Sequence, residues 1–168
     1  EQPYWTILGL DGGQQQGLIG EDGAIEVARG GFSVEPFVLV DDALATWADV
    51  TTAQSLQDGY LPIPSVRWTR EDLALEITAF AHGEPRDSRL VARYRLSNPG
   101  GDARDYTLAL AVQPFQVNPP SQFLNTRGGV SPIKALSIDG GTVSVDGRAR
   151  VFAKQLPSAA FATPFDGG

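Results

Sequence analysis

The side chains best suited to catalysis in this chain are carboxylates. The sequence has 20 acidic residues, one histidine and no cysteine. With His82 alone, a metal site built on paired histidines is excluded, and a Ser-His-Asp relay would have to use this one residue. Without cysteine there is no thiol nucleophile and no thiolate metal site. A glycosidase-type acid pair stays open, because it needs only two carboxyl groups about 5 to 10 Å apart in the fold.

Three acidic residues lie within strand-like segments and are the candidates for such a pair: Glu35, Asp49 and Glu76. Most of the other acids lie in turns, where backbone preference and local hydrogen bonding explain an aspartate. They include Asp11, Asp22, Asp41, Asp42, Asp72, Asp139 and Asp146. Because no nucleophile–base pair or metal cluster can be assembled, we assign no catalytic residue, no metal and no cofactor. We expect neither glycoside hydrolysis nor mutarotation by this chain alone.

Amide side chains between residues 113 and 125 suit a second kind of chemistry, the recognition of hydroxyl groups. This stretch leaves a strand and carries prolines, aromatics and five amides, namely Gln113, Gln116, Asn118, Gln122 and Asn125. Amides both donate and accept hydrogen bonds, as a sugar requires. The alternative is that they satisfy the backbone of an irregular loop without ladder partners. Three apolar residues of the same stretch are candidates for a domain interface: Phe115, Phe123 and Leu124.

Three tryptophans offer flat apolar faces on which a sugar ring could stack: Trp5, Trp47 and Trp68. The alternative for each is burial in the core, which is the more common position of an indole.

Apolar residues alternate with a period of two in most ordered stretches, which predicts strands. One such strand covers residues 90–96, and another has Leu73, Leu75, Ile77, Ala79 and Ala81 on one face. Residues 106–117 carry apolar groups on both sides, which predicts a centre-of-sheet strand. Asn98-Pro99-Gly100-Gly101 should reverse the chain so that this strand pairs antiparallel with residues 90–96.

Ten to twelve short strands joined by Asp-Gly turns predict an all-β fold, an antiparallel β-sandwich with little helix. Only residues 42–57 approach helical spacing, and they fit a turn followed by a short strand equally well. A chain of 168 residues is long enough for one domain. We expect a single domain over residues 1–168, excised from a longer multidomain protein. The net charge of −7 opposes binding to nucleic acid or to an anionic membrane.

Four phrases of the sequence resemble a known family. They are GYLPIPSV (59–66), LEITAFA (75–81), ARYRLSNP (92–99) and FQVNPPSQFLN (115–125). They resemble the β-rich region that precedes the catalytic helical barrel in bacterial proteins of the six-hairpin glycosidase type. In that class a galactose-mutarotase-like super-sandwich precedes an (α/α)6 toroid and helps to frame its active site. The catalytic acids of the class lie on the helical barrel, and the mutarotases of this fold work with histidines that a chain with only His82 lacks.

The resemblance therefore implies a non-catalytic β-sandwich domain of a carbohydrate-active protein. Its partners would be a downstream helical domain of the same protein and a carbohydrate, with no nucleic acid and no membrane. Three alternatives remain open: a freestanding carbohydrate-binding module, a small glycosidase that uses a carboxylate pair, and a purely structural sandwich.

Overall fold

The protein is all-β and antiparallel, which confirms the predicted fold class. The structure, a computed structural model, describes residues 4–120 and 128–164. The chain divides into two compact units, Glu1–Ser131 and Pro132–Gly168. Whether the whole chain folds as one domain stays a prediction. None of the described residues forms a helix long and apolar enough to cross a membrane.

Two sheets make up the first unit. The first sheet has the order β1-β2-β3-β4-β10, and β5 also pairs with β4. Its strands are β1 (Trp5–Gly9), β2 (Gln16–Gly20), β3 (Ile25–Glu26), β4 (Ser33–Val40), β5 (Ala43–Ala45) and β10 (Tyr106–Gln113). The second sheet has the order β6-β7-β8-β9. Its strands are β6 (Thr51–Gln57), β7 (Leu61–Arg70), β8 (Leu73–Glu84) and β9 (Asp87–Ser97).

The inner faces of these two sheets share one apolar core. Alternate residues of β4 and β8 supply much of it, including Val38, Leu75 and Ile77, all without solvent exposure. Trp68 of β7 is also fully buried, and its indole Nε1 donates a hydrogen bond of 2.9 Å to the main-chain oxygen of Asp22. This bond joins the second sheet to the β2–β3 turn of the first. The two sheets are therefore held together both by apolar packing and by a buried polar contact.

The β2–β3 turn needs glycine at its last position. Gly23 has a φ of +88°, and a Cβ there would collide with Cδ1 of Ile77. Its amide donates to the oxygen of Gly20 at 3.1 Å, which closes the turn. A left-handed residue after a tight turn is the usual geometry of a three-residue hairpin loop. The turn can approach the second sheet closely because Gly23 has no side chain.

The predicted hairpin between residues 90–96 and 106–117 is wrong. β9 pairs with β8 in the second sheet, whereas β10 pairs with β4 in the first. Residues 98–105 therefore carry the chain from one sheet to the other. Asp41 holds the end of this crossover, because its carboxylate accepts hydrogen bonds from the Arg104 side chain at 2.6 Å and the Asp105 amide at 2.9 Å. These long-range contacts override the local turn preference of Asn98-Pro99-Gly100-Gly101.

The predicted central position of the strand over residues 106–117 is also wrong. β10 ends at Gln113 and lies at the edge of the first sheet. Its Leu110 is 46% exposed. The residues on its outer face are mostly small, Thr107, Ala109 and Ala111, so apolar character on both sides did not place the strand at the centre of the sheet.

Residues 42–57 follow the turn-and-strand interpretation. They form β5, a single 3₁₀ turn (Trp47–Asp49) and β6. Thr46 and Asp49 cap this turn reciprocally: the Ala48 amide donates to the Thr46 hydroxyl at 3.2 Å, and the Thr46 amide donates to the Asp49 carboxylate at 2.9 Å. Capping of the 3₁₀ turn therefore accounts for the presence of Thr46 and Asp49 at these positions.

The second unit is a three-stranded meander. Its strands are β11 (Leu136–Asp139), β12 (Thr142–Val145) and β13 (Arg148–Phe152), in that order in the sheet. Asp146, with a φ of +50°, precedes Gly147 in the second turn. Its carboxylate accepts hydrogen bonds from the amides of Lys134 and Ala135 at 2.8 and 2.9 Å. Short strands joined at Asp-Gly sequences are thus confirmed in this part of the chain.

Candidate functional site

Residues 114–120 and 128–131 form an arm, the described part of the segment that follows β10. Phe115 pairs with Val130 in an antiparallel bridge. The Gln116 amide donates to the oxygen of Gly129 at 2.8 Å, and the Ser131 amide donates to the oxygen of Pro114 at 2.8 Å. Main-chain hydrogen bonds therefore join the two sides of the arm.

A buried carboxylate fastens this arm to the first sheet. Glu26 of β3 is only 2% exposed. Its Oε1 accepts a hydrogen bond of 2.8 Å from the Gly30 amide, and its Oε2 accepts one of 3.1 Å from the Asn118 amide. Glu26 lies opposite Leu18 and Ser33, on the face of the sheet that points away from the core. The arm thus covers part of the outer face, and one glutamate joins it to the β3–β4 turn.

Sequence reasoning missed Glu26. The available signal was its position as the one charged residue in the apolar run over residues 24–28. A lone acid in such a run is either solvent-facing or buried with partners. Which of the two applies depends on a segment 90 residues later in the chain, so the local pattern could not decide it.

The structure describes three of the predicted amides, Gln113 at the end of β10 and Gln116 and Asn118 in the arm. Gln113 ends β10 opposite Ser33. The Gln116 side chain donates through Nε2 to the oxygen of Gly30 at 3.0 Å, and its Oε1 is buried with no hydrogen-bond partner among residues 4–120 and 128–164. Asn118 contributes its main chain to the Glu26 contact. For Gln116, the bond to Gly30 matches the alternative interpretation, support of an irregular backbone.

The other residues that the sequence analysis named as binding or interface candidates fall in three groups. Gln122, Phe123, Leu124 and Asn125 lie outside the described residues. Phe115 is 37% exposed and belongs to the bridge within the arm. Of the three tryptophans, Trp68 is in the core, Trp47 is 50% exposed, and Trp5 is half-buried on the outer face of the first sheet.

Two acids at the outer face of the first sheet, Asp22 and Glu35, have raised pKa values. Asp22 lies in the β2–β3 turn, where its Oδ1 accepts a hydrogen bond of 3.0 Å from the Ala24 amide. Burial raises the pKa of Asp22. Burial also raises the pKa of Glu35, and the neighbouring Asp22 charge raises it further. An acid that holds its proton above the ordinary range is suited to general acid catalysis, although desolvation in a structural site has the same effect.

The three acids suggested by the sequence do not come together. Glu35 lies on the outer face of the first sheet, and its neighbour Asp22 came from the set explained by turns. Asp49 caps the 3₁₀ turn, and the Thr46 amide and hydroxyl hold the pKa of its carboxyl below the usual range. Glu76 is on the outer face of the second sheet, 3.8 Å from the guanidinium of Arg93. Sequence reasoning therefore named one of the two acids with a raised pKa, Glu35, and missed the other, Asp22.

Replacing Glu35 by glutamine should raise stability at neutral pH. The native state binds a proton at Glu35 more tightly than the unfolded state does, so this group's contribution to the unfolding free energy falls as pH rises from its ordinary pKa of 4.5 through the raised native value. Glutamine removes that loss. We expect Glu35→Gln to match the parent at low pH and to exceed it above this window by on the order of 0.5–1 kcal/mol, a figure reduced because Glu35 is only half-buried. Urea unfolding across pH measures the difference, and a constant gap at every pH would contradict the assignment.

A cleft of about 380 Å³ opens between the two sheets of the first unit. Residues of four strands line it: Thr6, Ile19, Gln54, Ser55, Leu56, Pro64, Ser65 and Val66. Thr6 pairs with Ile19, and Gln54 pairs with Val66, so these polar side chains share the inner faces with core residues. Ser55 and Ser65 alternate with these residues along β6 and β7, so their side chains point to the opposite face, where Ser65 exchanges a 2.8 Å hydrogen bond with Thr78.

The cleft exists because β6 extends past the cover of the first sheet. All seven residues of β6 are exposed, and the strand pairs on one edge only. Its inner-face residues Gln54 and Leu56 are thereby open to solvent beside the covered residues Ile19 and Val66. The cleft thus offers one amide, one hydroxyl and an apolar floor.

Comparison of the chain with known proteins returns no relatives: no family model matches, and no curated protein or solved structure does either. Among residues 4–120 and 128–164, no group of three or more histidine, aspartate or glutamate side chains is placed to hold a metal ion.

Proposed function

We propose that this chain is a non-catalytic β-sandwich domain of a carbohydrate-active protein. It packs against a helical catalytic domain of the same protein and lines one wall of a glycan cleft. The observation that carries the proposal is the open cleft beside β6. A sandwich normally covers its inner faces, and here an amide and a hydroxyl stand next to apolar core residues at a mouth that admits a ligand.

The chemistry of this cleft suits a sugar. Its volume of about 380 Å³ is within the range of small-ligand sites, roughly 300–1,000 Å³. Gln54 can both donate to and accept from hydroxyl groups, and Thr6 can do the same. Leu56 and Pro64 supply apolar surface for the C–H face of a ring. Because one side of the cleft is an edge strand, an extended chain of sugars can continue past it.

The helical partner is supported by the outer face of the first sheet at the β4–β5–β10 end. Leu39 pairs with Leu44 on one side and Thr107 on the other, and Phe37 pairs with Ala109. Leu44 is 59% exposed. Outward positions of a sandwich facing water are normally polar. This apolar face is the surface that we assign to a packed helix.

Substitution in the cleft should weaken glycan binding without unfolding the chain. Gln54 is exposed, so Gln54→Ala should change the unfolding free energy by no more than about 0.5 kcal/mol. Loss of one hydrogen bond to a ligand should lower affinity by about threefold to tenfold. Isothermal titration with a panel of neutral oligosaccharides measures this. Gln57→Ala is the matched control, because it makes the same substitution on the same strand outside the cleft lining. Equal affinities for both variants would refute the cleft as the binding site.

A second candidate function, glycoside hydrolysis by a carboxylate pair, is favoured by the effect of the Asp22 charge, which raises the pKa of Glu35 beyond the effect of burial. Both have raised pKa values, as a general acid requires. Turnover of an aryl-glycoside panel that Glu35→Gln abolishes would favour this candidate. If the parent chain does not turn over any member of the panel, glycoside hydrolysis is rejected and the non-catalytic role is the one that remains.

A further inference from the structure

The outer face of the second sheet carries a cluster of arginines, here called the arginine face. It consists of Arg67 on β7 and of Arg93 and Arg95 on β9, arranged around Glu76 on the intervening β8. Strand register fixes this arrangement, because Glu76 pairs with Arg67 on one side and with Arg95 on the other. Arg93 is two residues from Arg95 on the same strand, and its guanidinium is 3.8 Å from the Glu76 carboxylate. All three arginines are exposed.

The charge of this face is opposite to that of the chain. The protein has a net charge of −7, yet three cations surround one carboxylate here. Arg89 lies further along the same face of β9, opposite His82. The acids Glu84 and Asp87 share this face only at the far end of the β8–β9 hairpin, eight residues along β8 from Glu76. One glutamate cannot neutralise three guanidinium groups, so the centre of the face attracts anions.

Apolar and hydroxyl groups accompany the arginines. Phe80 pairs with Val91 directly beside the Thr78–Arg93 pair. Ala74 and Thr78 are buried although they point away from the core, at 6% and 9% exposure. The aliphatic stems of neighbouring long side chains provide such cover when they lie across a sheet. Strand register thus places an aromatic residue, Phe80, on the same face as the arginines.

We infer that the arginine face binds an anionic polysaccharide whose sugars carry carboxylates. This inference rests on the proposed function and names a second class of glycan for the same domain. A guanidinium presents two parallel donors that match a carboxylate. Strand geometry places the Arg93 and Arg95 backbones about 7 Å apart along β9 and the Arg67 backbone about 10 Å away across β8. These separations suit charges spread along a chain of sugars, whose ring faces Phe80 can contact.

Nucleic acid fits this face less well. A DNA duplex carries one charge per about 1.7 Å of its axis, so its binding rests on many cations and a favourable overall field. Three arginines on a chain of net charge −7 do not supply either. A polyuronate has a lower charge density, and its widely spaced carboxylates can pair with individual arginines.

The test is binding of oligogalacturonate to the 168-residue chain, measured by isothermal titration at several salt concentrations. We expect affinity to fall as salt rises. Arg93→Gln and Arg95→Gln should each weaken binding by about threefold to tenfold, and the triple variant with Arg67→Gln should weaken it by at least about tenfold. Arg148→Gln is the matched control, an exposed arginine of the second unit, and it should bind like the parent.

Three results would overturn the inference. One is equal binding of methyl-esterified oligogalacturonate, which has the same sugars without the charge. The second is unchanged affinity in the triple variant, with its fold checked by circular dichroism. The third is equally tight binding of an oligothymidylate strand, which would mean unselective attraction of anions. If one of these results is obtained and neutral oligosaccharides still bind at the Gln54 cleft, the inference about the arginine face fails and the proposed function stands. The failure of the inference can therefore be distinguished from the failure of the proposed function.

Discussion

Trp68→Ala should lower the free energy of unfolding by about 3–5 kcal/mol, the largest effect expected of any single substitution in this chain. The indole is fully buried between the two sheets. Its removal leaves a cavity and also leaves the main-chain oxygen of Asp22 without the 2.9 Å hydrogen bond from Nε1. A domain of this size has a total stability of about 5–15 kcal/mol, so the loss is a large fraction of it. Urea unfolding followed by circular dichroism measures the change.

Trp47→Ala is the matched control for this prediction. Trp47 is 50% exposed at the 3₁₀ turn, so its removal should change stability by no more than about 0.5 kcal/mol. Trp68→Phe helps to separate the two contributions, because it keeps most of the buried ring volume and removes the donor. It should cost about 1–3 kcal/mol. Equal effects of Trp68→Ala and Trp47→Ala would mean that the two sheets do not share the core described above.

Glu26→Ala should destabilise the chain by about 2–4 kcal/mol and release the arm from the first sheet. The carboxylate accepts hydrogen bonds from the amides of Gly30 and Asn118, and each bond to a charged group contributes about 1.5–3 kcal/mol. Hydrogen exchange gives the most specific measurement. We expect the Gly30 and Asn118 amides to lose protection in the variant, whereas amides of β8 should change only as far as global stability falls.

Glu26→Gln should have a smaller effect than Glu26→Ala. A glutamine oxygen can accept from one of the two amides, but its NH₂ group would then face the other donor. Glu71→Ala, at an exposed position in the β7–β8 turn, controls for removal of a negative charge from an acidic chain. If Glu26→Ala left the exchange of the Asn118 amide unchanged, Glu26 would not be the residue that holds the arm.

The sequence predicts strands well where both the period and the burial are regular. On β8, Leu73, Leu75, Ile77 and Ala79 alternate with more polar residues, and all four are fully buried on the inner face. The Asp-Gly turns of the second unit were equally clear, because each fixes a local reversal. In both cases the information needed lies within ten residues of the element.

The sequence could not predict contacts between distant segments. β9 and β10 are neighbours along the chain, and the glycines between them fit a turn, but they belong to different sheets. Pairing is decided by which strand best covers the edge of β4, not by the residues of the connection. Likewise, the charge of a turn residue, Asp22, raises the pKa of a strand residue, Glu35. Aspartates in turns have a sufficient local explanation, so Asp22 gave no sign of a second role.

Chemical-shift mapping of the isotopically labelled chain with a neutral oligosaccharide tests the central claim most directly, because it reports both binding and its place. We expect saturable shifts at Thr6, Gln54, Leu56 and Val66, with little change in β12 and β13 of the second unit. The absence of any shift across a panel of oligosaccharides, or shifts confined to residues outside the cleft, would contradict the proposal that this domain lines a glycan cleft.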